Sequence, residues 1–480
     1  MNNIRIKENA ESLVMDWFKA KEGWLAEQSD RIWSLAEVKF EEYRSVGLLT
    51  DIFTQEGFLV KTGLIDGLET AFTAEWSNGP GPVVAFIGEY DALPDLGYEM
   101  ADHPVPTGKS GHGCGHNLLG VGSMAAALAA KNAMATLGVG GTLKYFGCPA
   151  EEGGYAKVFM VRDGVFKGID ALLRWHPANA TYVSMASCTA STRIKFEFFG
   201  KTAHAGMNPH LGRSALDAAV LTQVGINFLR ERVPRNAKMF SLSIDVDKAG
   251  GSIPAHSELS YGVGAPRLSD VNELVSRMET VATGIAIATG TEVKSHRGYS
   301  SSEVLPNLAL SRAMLKNLKK VGPPEYSEEE RAFAKKLNEG LTAAEKAKSL
   351  EIYGIFDSRV GEKDLYDEIS ENMDIGGLMQ YSTDSGDVSW QAPTSQMFVA
   401  AQTIGSPNHS WQQVVCSGNS IGHKAMALAG KTIALTALDI LSDSGLLASA
   451  KEEYARALDR QPYSSPLPKD LKPGKAPEIR

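Results

Sequence analysis

The pattern of apolar and polar positions divides the chain into three parts. The first part opens with a long amphipathic helical pattern and continues with short apolar runs between helical stretches, the clearest runs being "PVVAFIG", "TLKYFG" and "ALLRW". One helix is predicted from about Leu118 to Leu137, where Gly138 ends it. Apolar strands that alternate with helices are typical of a mainly parallel sheet covered on both faces. The sequence therefore predicts an α/β domain that binds its ligand at the C-terminal ends of the strands.

A different pattern occupies residues 190–298. Alternating segments and amphipathic helices follow one another there in the order β-α-β-β-α-β, from "TRIKFEFFG" to "TEVKS". This order predicts a ferredoxin-like domain inserted between two parts of the α/β domain, residues 1–189 and 299–480. Within the last part, residues 350–378 indicate no clear element, and the closing helix "SIGHKAMALAGKTIALTALDILSD" precedes a proline-rich tail.

Composition narrows the classes of function. Of 480 residues, 43% are hydrophobic and 22% are charged, as in ordinary globular enzymes, and the net charge of -9 leaves no basic excess for nucleic acid or an anionic membrane surface. No apolar run approaches the ~20 residues that span a bilayer, and the N-terminus lacks the apolar run of a signal peptide. Four cysteines fit a reducing compartment. We expect a cytoplasmic protein with a small-molecule ligand.

The motif "GHGCGHN" carries the first candidate chemistry. Cys114 and His116 are two positions apart, so in an extended segment both side chains point to one side and can reach one metal ion. The flanking glycines let the backbone turn tightly. A buried structural cysteine in a glycine loop is the alternative, and it would be favoured if no further donors followed.

Further donors do follow, each beside a predicted strand. Glu151 and Glu152 come just after "TLKYFG", His176 just after "ALLRW", and His409 lies in the loop "GSPNHSW". The glutamates could instead begin a solvated helix, but the neighbouring proline and glycines favour a loop site. One thiolate, one carboxylate and three imidazoles suffice for two divalent metal ions with room for water.

Eight motifs taken together resemble the M20 family of metallopeptidases and amidohydrolases, and within it the aminobenzoyl-glutamate hydrolases. The likeness covers essentially the whole chain and rests on "EYDALP", "GHGCGHN", "CPAEEGG", "RWHP", "GKTAHAG", "HLGRSALDA", "STDSGDVSW" and "GSPNHSW". The resemblance implies a catalytic domain with two Mn or Zn ions per subunit and a ferredoxin-like lid that also forms a dimer contact. It implies hydrolysis, by metal-activated water, of the amide bond of a small N-acyl amino acid such as p-aminobenzoyl-glutamate.

The resemblance also implies a role for each metal-binding position. Cys114 bridges the two ions, His116 and His176 complete one site, and Glu152 and His409 complete the other. These five side chains are the expected ligands of both metal ions.

Other positions receive catalytic or supporting roles from the same resemblance. Glu151 is the general base, Asp91 orients a ligand or the metal pair, and His204 reaches from the lid into the active site of the other subunit. Glu89 stands where many relatives carry His or Asp, and no role is assigned to it. Arg213, at a helix start, could bind a substrate anion or serve only the structure.

The remaining histidines and Cys148 favour structural interpretations. His112 lies close to the motif and is as consistent with a loop residue as with a ligand, whereas Cys148 ends a buried strand and is expected to be a small core thiol. The other histidines have no spacing that pairs them with ligands and are expected at the surface or in packing: His103, His210, His256, His296 and His423.

Two lid positions depart from the family pattern. Gly251 stands where the family carries Asn and Gly264 where it carries Arg, both of which hold a substrate carboxylate, with Arg267 as a possible substitute. A second interpretation is therefore a hydrolase of a small aromatic amide or amine that lacks the α-carboxylate. A third is a non-catalytic partner of a homologous subunit, although all ligand positions are filled. In either active form a homodimer or higher oligomer is expected.

Overall fold

The computed structural model describes residues 2–247 and 250–475. The helices are α1 Asn2–Leu35, α2 Tyr43–Gln55, α3 His116–Leu137, α4 Glu151–Gly154, α5 Ala156–Arg162, α6 Ala215–Leu229, α7 Leu268–Thr289, α8 Leu308–Val321, α9 Glu328–Leu337, α10 Ala343–Ser349, α11 Ser385–Ser389, α12 Trp411–Ser417, α13 Ser420–Ser442 and α14 Ser444–Arg460. The strands are β1 Leu59–Thr62, β2 Phe72–Ser77, β3 Val83–Glu89, β4 Thr142–Cys148, β5 Ala171–Ala178, β6 Tyr182–Ser184, β7 Ser187–Cys188, β8 Ala190–Phe199, β9 Lys238–Val246, β10 His256–Ala265, β11 Glu292–Ser301, β12 Leu378–Met379 and β13 Thr394–Ala400.

The chain forms two compact units, which we call unit 1 and unit 2. Unit 1 contains residues 2–186, 305–379 and 388–464, and unit 2 contains residues 187–304, 380–387 and 465–475. The short segment 380–387 and the chain after residue 464 thus belong with the inserted part, which no periodicity in the sequence indicates.

Unit 1 is built on a seven-stranded sheet in the order β1-β2-β4-β3-β5-β13-β6. The four central strands β4, β3, β5 and β13 run parallel, whereas β1, β2 and β6 add antiparallel pairs at the edges. The predicted α/β class with a mainly parallel sheet is confirmed. Parallel strands bring their C-terminal ends to one edge, so the loops after these strands can share one site.

Helices α1, α3 and α13 pack together in the core of unit 1. By length and composition α3 and α13 could each span a membrane, which corrects the expectation that no stretch is long and apolar enough. Their most apolar windows are 83% and 72% buried inside the protein. This burial accounts for the apolar composition, because helices in a protein core are apolar on all sides.

Unit 2 carries the predicted ferredoxin-like order. Strands β8, β9, β10 and β11 and helices α6 and α7 follow as β-α-β-β-α-β, in an antiparallel sheet ordered β11-β8-β10-β9. Alternate residues of β8, including Ile194, Phe196 and Phe198, are buried against α6 and α7. The strict alternation in the sequence marks this single covered face, and the predicted fold of the insert is confirmed.

The structure differs from the sequence pattern in two connecting regions. The long N-terminal helical pattern is two helices, separated by Ala36 and Phe40 with φ of 41° and 66°. Residues 350–378, for which the sequence gives no element, contain two 3-10 turns, Glu351–Tyr353 and Ser358–Glu362. Turns this short carry no hydrophobic period, so a periodicity argument cannot detect them.

Candidate metal centre

The motif around Cys114 ends in a tight turn at the start of α3. Gly115 has φ of 74°, in the left-handed region, and a side-chain carbon at this position would come within 2.9 Å of the Pro177 ring. Glycine is therefore required here both by the backbone and by the space available. The turn places His116 as the first residue of the helix directly beside Cys114.

Three overlapping groups of donor atoms lie together in unit 1. Within each group all donor atoms lie within 4.8 Å of one another, and the groups are Cys114 with His116 and His176, Cys114 with Glu152 and His409, and His116 with Glu151 and Glu152. The structure thus brings together all five predicted ligands and the predicted base. Cys114 belongs to two of these groups, the arrangement expected of a residue shared between two ions.

The two glutamates lie on a strained turn directly after β4. Ala150 and Tyr155, which flank the short helix α4, have φ of 53° and 54° although neither is glycine. A left-handed conformation at a non-glycine residue costs about 1–2 kcal/mol. Such a turn persists only where surrounding contacts hold it, and it aims Glu151 and Glu152 into the donor group.

The two remaining ligands come from the ends of neighbouring parallel strands. His176 lies within β5 rather than beyond it, because β13 pairs with β5 as far as Ala178, and this corrects the sequence expectation. Its Nε2 lies 3.4 Å from Cys114 Sγ, and its Nδ1 lies 2.8 Å from the Pro177 carbonyl oxygen. His409, in the loop after β13, has Nε2 3.4 Å from Glu152 Oε1.

Asp91 connects two of the donor residues from behind. Its Oδ1 lies 2.9 Å from Nδ1 of His116, and its Oδ2 accepts the amide hydrogen of Glu152 at 2.8 Å. Carboxylates that hold the second nitrogen of a metal-binding histidine fix the orientation of its ring. The contacts of Asp91 are those of such an orienting residue.

Glu89 lies on the other side of His116, in a fully buried ion pair. Its Oε1 lies 2.9 Å from Lys157 Nζ, and its Oε2 lies 3.4 Å from His116 Nε2. Burial alone would raise the pKa of Glu89, but the charge of Lys157 holds it well below its usual range. The sequence pattern predicts neither Lys157 nor a buried ionised Glu89. A lone lysine in the apolar run "AKVFMV" is the signal in the sequence that could have revealed the pair.

The donor residues carry strongly shifted pKa values. Burial raises the pKa of the Cys114 thiol and lowers that of His176 to about 4. Hydrogen bonds to Cys114 and Glu152 raise the pKa of His409 to about 10. Although burial opposes it, His409 in turn lowers the pKa of Glu152 to about 2. Positive charge in this place is therefore strongly favoured.

The donor set fits divalent metal ions. The buried atoms His116 Nε2 and Glu152 Oε1 make no hydrogen bond within the described residues, and both belong to the donor groups. Buried polar atoms are rarely left without partners, so unsatisfied atoms that converge with a thiol and further imidazoles indicate a ligand position. Sulfur, nitrogen and carboxylate oxygen together are donors typical of zinc and related ions.

The remaining histidines of unit 1 make structural contacts. His112 is buried with Nε2 3.1 Å from the Ile32 carbonyl oxygen, and burial lowers its pKa to about 3. His103 pairs with Asp102. His423 pairs with Asp30 in the same way.

A fourth donor group lies on the sheet of unit 2. The donor atoms of Glu197, His256 and Glu258 lie within 4.8 Å of one another. His256 Nε2 and His296 Nε2 lie 3.0 Å from separate oxygens of Glu197, and Lys195 Nζ lies 2.9 Å from Glu258. The spacing of these histidines in the sequence does not reveal such partners. Because opposite charges already meet throughout the group, ion pairing accounts for the arrangement.

The predicted lid residues also lie in unit 2. His204 is exposed near the bridge to Ser252, and its Nδ1 accepts the amide hydrogens of Gly206 and Met207. The guanidinium of Arg213 donates to two backbone carbonyl oxygens, those of His210 and Gly212.

The site and fold together define the class of protein: the chain belongs to the M20 family of metallopeptidases and amidohydrolases, and it is a hydrolase that acts on amide bonds. It is 39% identical over 461 residues to one of the two subunit types of p-aminobenzoyl-glutamate hydrolase of Escherichia coli, covering 93% of this chain and 95% of that protein. It is 29% identical over 449 residues to the Xaa-Arg dipeptidase of Mus musculus, covering 90% and 89%. No family model matches the chain.

Solved structures share the fold at low sequence identity. A dinuclear metal-binding peptidase of the M20 family from Bacillus subtilis matches with a TM-score of 0.58 and 16% identity, over 88% of this chain and 99% of that one. The aminobenzoyl-glutamate utilization protein from Klebsiella pneumoniae matches with a TM-score of 0.58 and 18% identity, over 89% and 98%.

Proposed function

We propose that this enzyme hydrolyses the amide bond of a small N-acyl amino acid such as p-aminobenzoyl-glutamate. The observation that carries the proposal is the pair of donor groups that share Cys114, with Glu151 on the same turn as the ligand Glu152. The named activities of the relatives, which align over about nine-tenths of the chain, support this class of substrate.

Five side chains would hold two divalent ions, for which we propose zinc or manganese. Cys114 would contact both, with His116 and His176 at one ion and Glu152 and His409 at the other. When bound, two such ions lower the pKa of a shared water and polarise the substrate carbonyl group.

The protein's own residues would handle the protons. Glu151 has no ligand role in this scheme, so its carboxylate can accept a proton from the attacking water and pass it to the leaving nitrogen. Its neighbour Glu152 is held in place through the bond from its amide to Asp91. Two adjacent glutamates can differ in role because their environments differ.

A second candidate substrate is an aromatic amide or amine without an α-carboxylate. A side-chain carbon at Gly251 would meet no atom within 4 Å, and one at Gly264 would meet none closer than 3.7 Å. Packing therefore does not exclude a larger side chain at either place, although φ of 75° favours glycine at position 251. The missing Asn and Arg then concern recognition of the substrate rather than the fold.

We propose that the protein works in the cytoplasm as a homodimer joined through unit 2. Helix α6 and the edge strand β9 expose a run of large apolar side chains: Val220, Leu221, Val224, Phe228, Phe240 and Leu242. Exposed apolar patches and open sheet edges are typical of protein interfaces. Assembly with a homologous chain is the alternative, because the Escherichia coli relative is named as one subunit of a hydrolase with two subunit types.

Metal analysis combined with a substrate panel tests the proposed activity. The purified protein is expected to contain about two Zn or Mn ions per chain and to hydrolyse p-aminobenzoyl-glutamate or a matched aryl amide. Release of ammonia from aryl amines alone would favour the second candidate. No hydrolysis by a fully metal-loaded homodimer, with activity only after a homologous subunit is added, would contradict the proposal and favour a partner role.

Mixed dimers test the proposed role of His204. Inactive Glu151→Gln chains mixed with inactive His204→Ala chains are expected to regain activity, since one of the two sites would then be complete. As a control, Glu151→Gln chains mixed with one another stay inactive. Mixed dimers without activity would place His204 outside the partner's site.

A further inference from the structure

The turn that carries Glu151 and Glu152 is held by two carboxyl groups from other segments. The amide of Ala150 donates to Oε1 of Glu42 at 2.8 Å, and the amide of Glu152 donates to Oδ2 of Asp91 at 2.8 Å. The strained backbone of Ala150 depends on such contacts. Asp91 has a counterpart in the family motif, whereas Glu42 has no assigned role.

The side chain of Glu42 is fully committed to this framework. Glu42 stands at the N-terminal boundary of α2, yet its side chain makes no capping bond to the helix. Its Oε2 instead accepts a hydrogen bond from the Thr70 hydroxyl at 2.8 Å, and the Tyr90 hydroxyl donates to the Thr70 carbonyl at 2.5 Å. Glu42 is completely buried. Burying a carboxyl group is costly unless its bonds are made, so its position is defined by Ala150 and Thr70.

The segment that carries Glu42 is tied to the loop of Asp91. Val38 and Ala92 form a parallel bridge, and the Ala92 amide donates to the Glu37 carbonyl oxygen at 2.8 Å. The two carboxyl groups that hold the turn are therefore parts of one connected structure. A displacement of either would move the glutamates relative to the other ligands.

We propose that Glu42 is a positioning residue for hydrolysis, which fixes the backbone at Ala150 and thereby the place of Glu151. This inference rests on the proposed function, in which Glu151 accepts the proton. The bond from Ala150 requires an acceptor at the full length of a glutamate side chain, and it does not require a charge. A glutamine retains that acceptor, and its amide can donate to the Thr70 hydroxyl. An aspartate is one methylene too short.

Two variants of Glu42 separate reach from charge. In Glu42→Asp we expect kcat to fall about 10- to 100-fold, because a small misplacement of a reacting group has effects of that size. We expect KM to change less than about threefold and the metal content to stay near wild type, since Asp91 still holds Glu152. Glu42→Gln should retain most of the wild-type kcat. The matched control is Glu41→Asp, at the neighbouring exposed glutamate, which should change neither value.

Melting temperature and metal content are measured on all variants beside kinetics with p-aminobenzoyl-glutamate and a matched aryl amide. A folded, metal-loaded Glu42→Asp enzyme with wild-type kcat would overturn the inference, as would a Glu42→Gln enzyme that is as impaired as Glu42→Asp. A wild-type protein that hydrolyses neither substrate would instead refute the proposed function. The two failures are therefore distinguishable.

Discussion

Lys157 and Glu89 form an ion pair in the interior of unit 1, with 2.9 Å between Nζ and Oε1 and neither side chain exposed. Removing one partner of a buried pair leaves the other charge unpaired, which costs about 3–5 kcal/mol. We therefore expect Lys157→Met to lower the free energy of unfolding by about that amount, measured by urea denaturation. Lys319→Met, which breaks an exposed pair with Glu371, should cost at most about 1 kcal/mol. Equal effects of the two substitutions would contradict a fully desolvated pair.

Replacement of the base should separate turnover from metal binding. We expect Glu151→Gln to lower kcat at least about 100-fold while metal content stays at the wild-type level, because a general base contributes roughly 10²–10⁴-fold and the residue is not a ligand in our scheme. The neighbouring Glu152→Gln should instead lose metal. Elemental analysis of both variants decides the assignment, and loss of metal from Glu151→Gln would reverse it.

Removal of the shared thiol should affect both ions. Cys114 belongs to both proposed ligand sets, so Cys114→Ala should lower the metal content below about one ion per chain, as measured by elemental analysis. The control is Cys148→Ala, because Cys148 is a buried thiol at the end of β4 that belongs to none of the donor groups. Normal metal content and activity in Cys114→Ala would show that the cysteine is structural.

A charge introduced in the lid should change the choice of substrate. We expect Gly264→Arg to raise kcat/KM for p-aminobenzoyl-glutamate relative to a matched aryl amide without the acid by about 10- to 100-fold. Charge-assisted hydrogen bonds contribute about 1.5–3 kcal/mol, and about 1.4 kcal/mol corresponds to tenfold. Gly264→Gln supplies bulk without charge and should leave the ratio near wild type. A strong wild-type preference for the acid would mean that another group, such as Arg267, already recognises it.

The ion pairs on the sheet of unit 2 should give a pH-dependent contribution to stability. Burial lowers the pKa of His256, but its hydrogen bond to Glu197 and the charge of Asp247 outweigh this and raise it above 6.5. A raised pKa in the folded state stabilises below the unfolded pKa, and this stabilisation disappears as pH rises through the folded pKa. We expect His256→Gln to cost up to about 1 kcal/mol at pH 5.5 and less at pH 8.5, in urea denaturation at both values. A larger cost at pH 8.5 would contradict the assigned direction.

The sequence predicts those parts of the molecule in which one residue type and one period carry the information. Alternation over "TRIKFEFFG" reflects a sheet with one covered face, and this is why the ferredoxin-like insert could be predicted from the pattern. The metal donors could be listed because Cys, His and Glu beside strand ends have few other reasons to recur. Their proximity in space follows from the parallel strand order, which only the structure shows.

The parts that the sequence could not reveal depend on backbone conformation and on partners distant in the chain. Ala36 and Phe40 break the N-terminal helical pattern with positive φ, although neither residue type announces it. The break brings Glu42 to Ala150, more than a hundred positions away, while the adjacent Glu41 stays exposed. In the sequence the two glutamates look alike, and only the fold distinguishes them.

The ligand from the loop after β13 has a consequence for how the enzyme matures on the ribosome. Cys114, His116 and His176 are synthesised early, so one donor group can be complete while the lid is still being translated. His409 emerges only after the whole insert, so the second group closes near the end of synthesis. Nascent chains arrested before residue 409 should therefore be able to acquire one ion and be unable to form the pair, which makes full metal loading a checkpoint for a finished polypeptide.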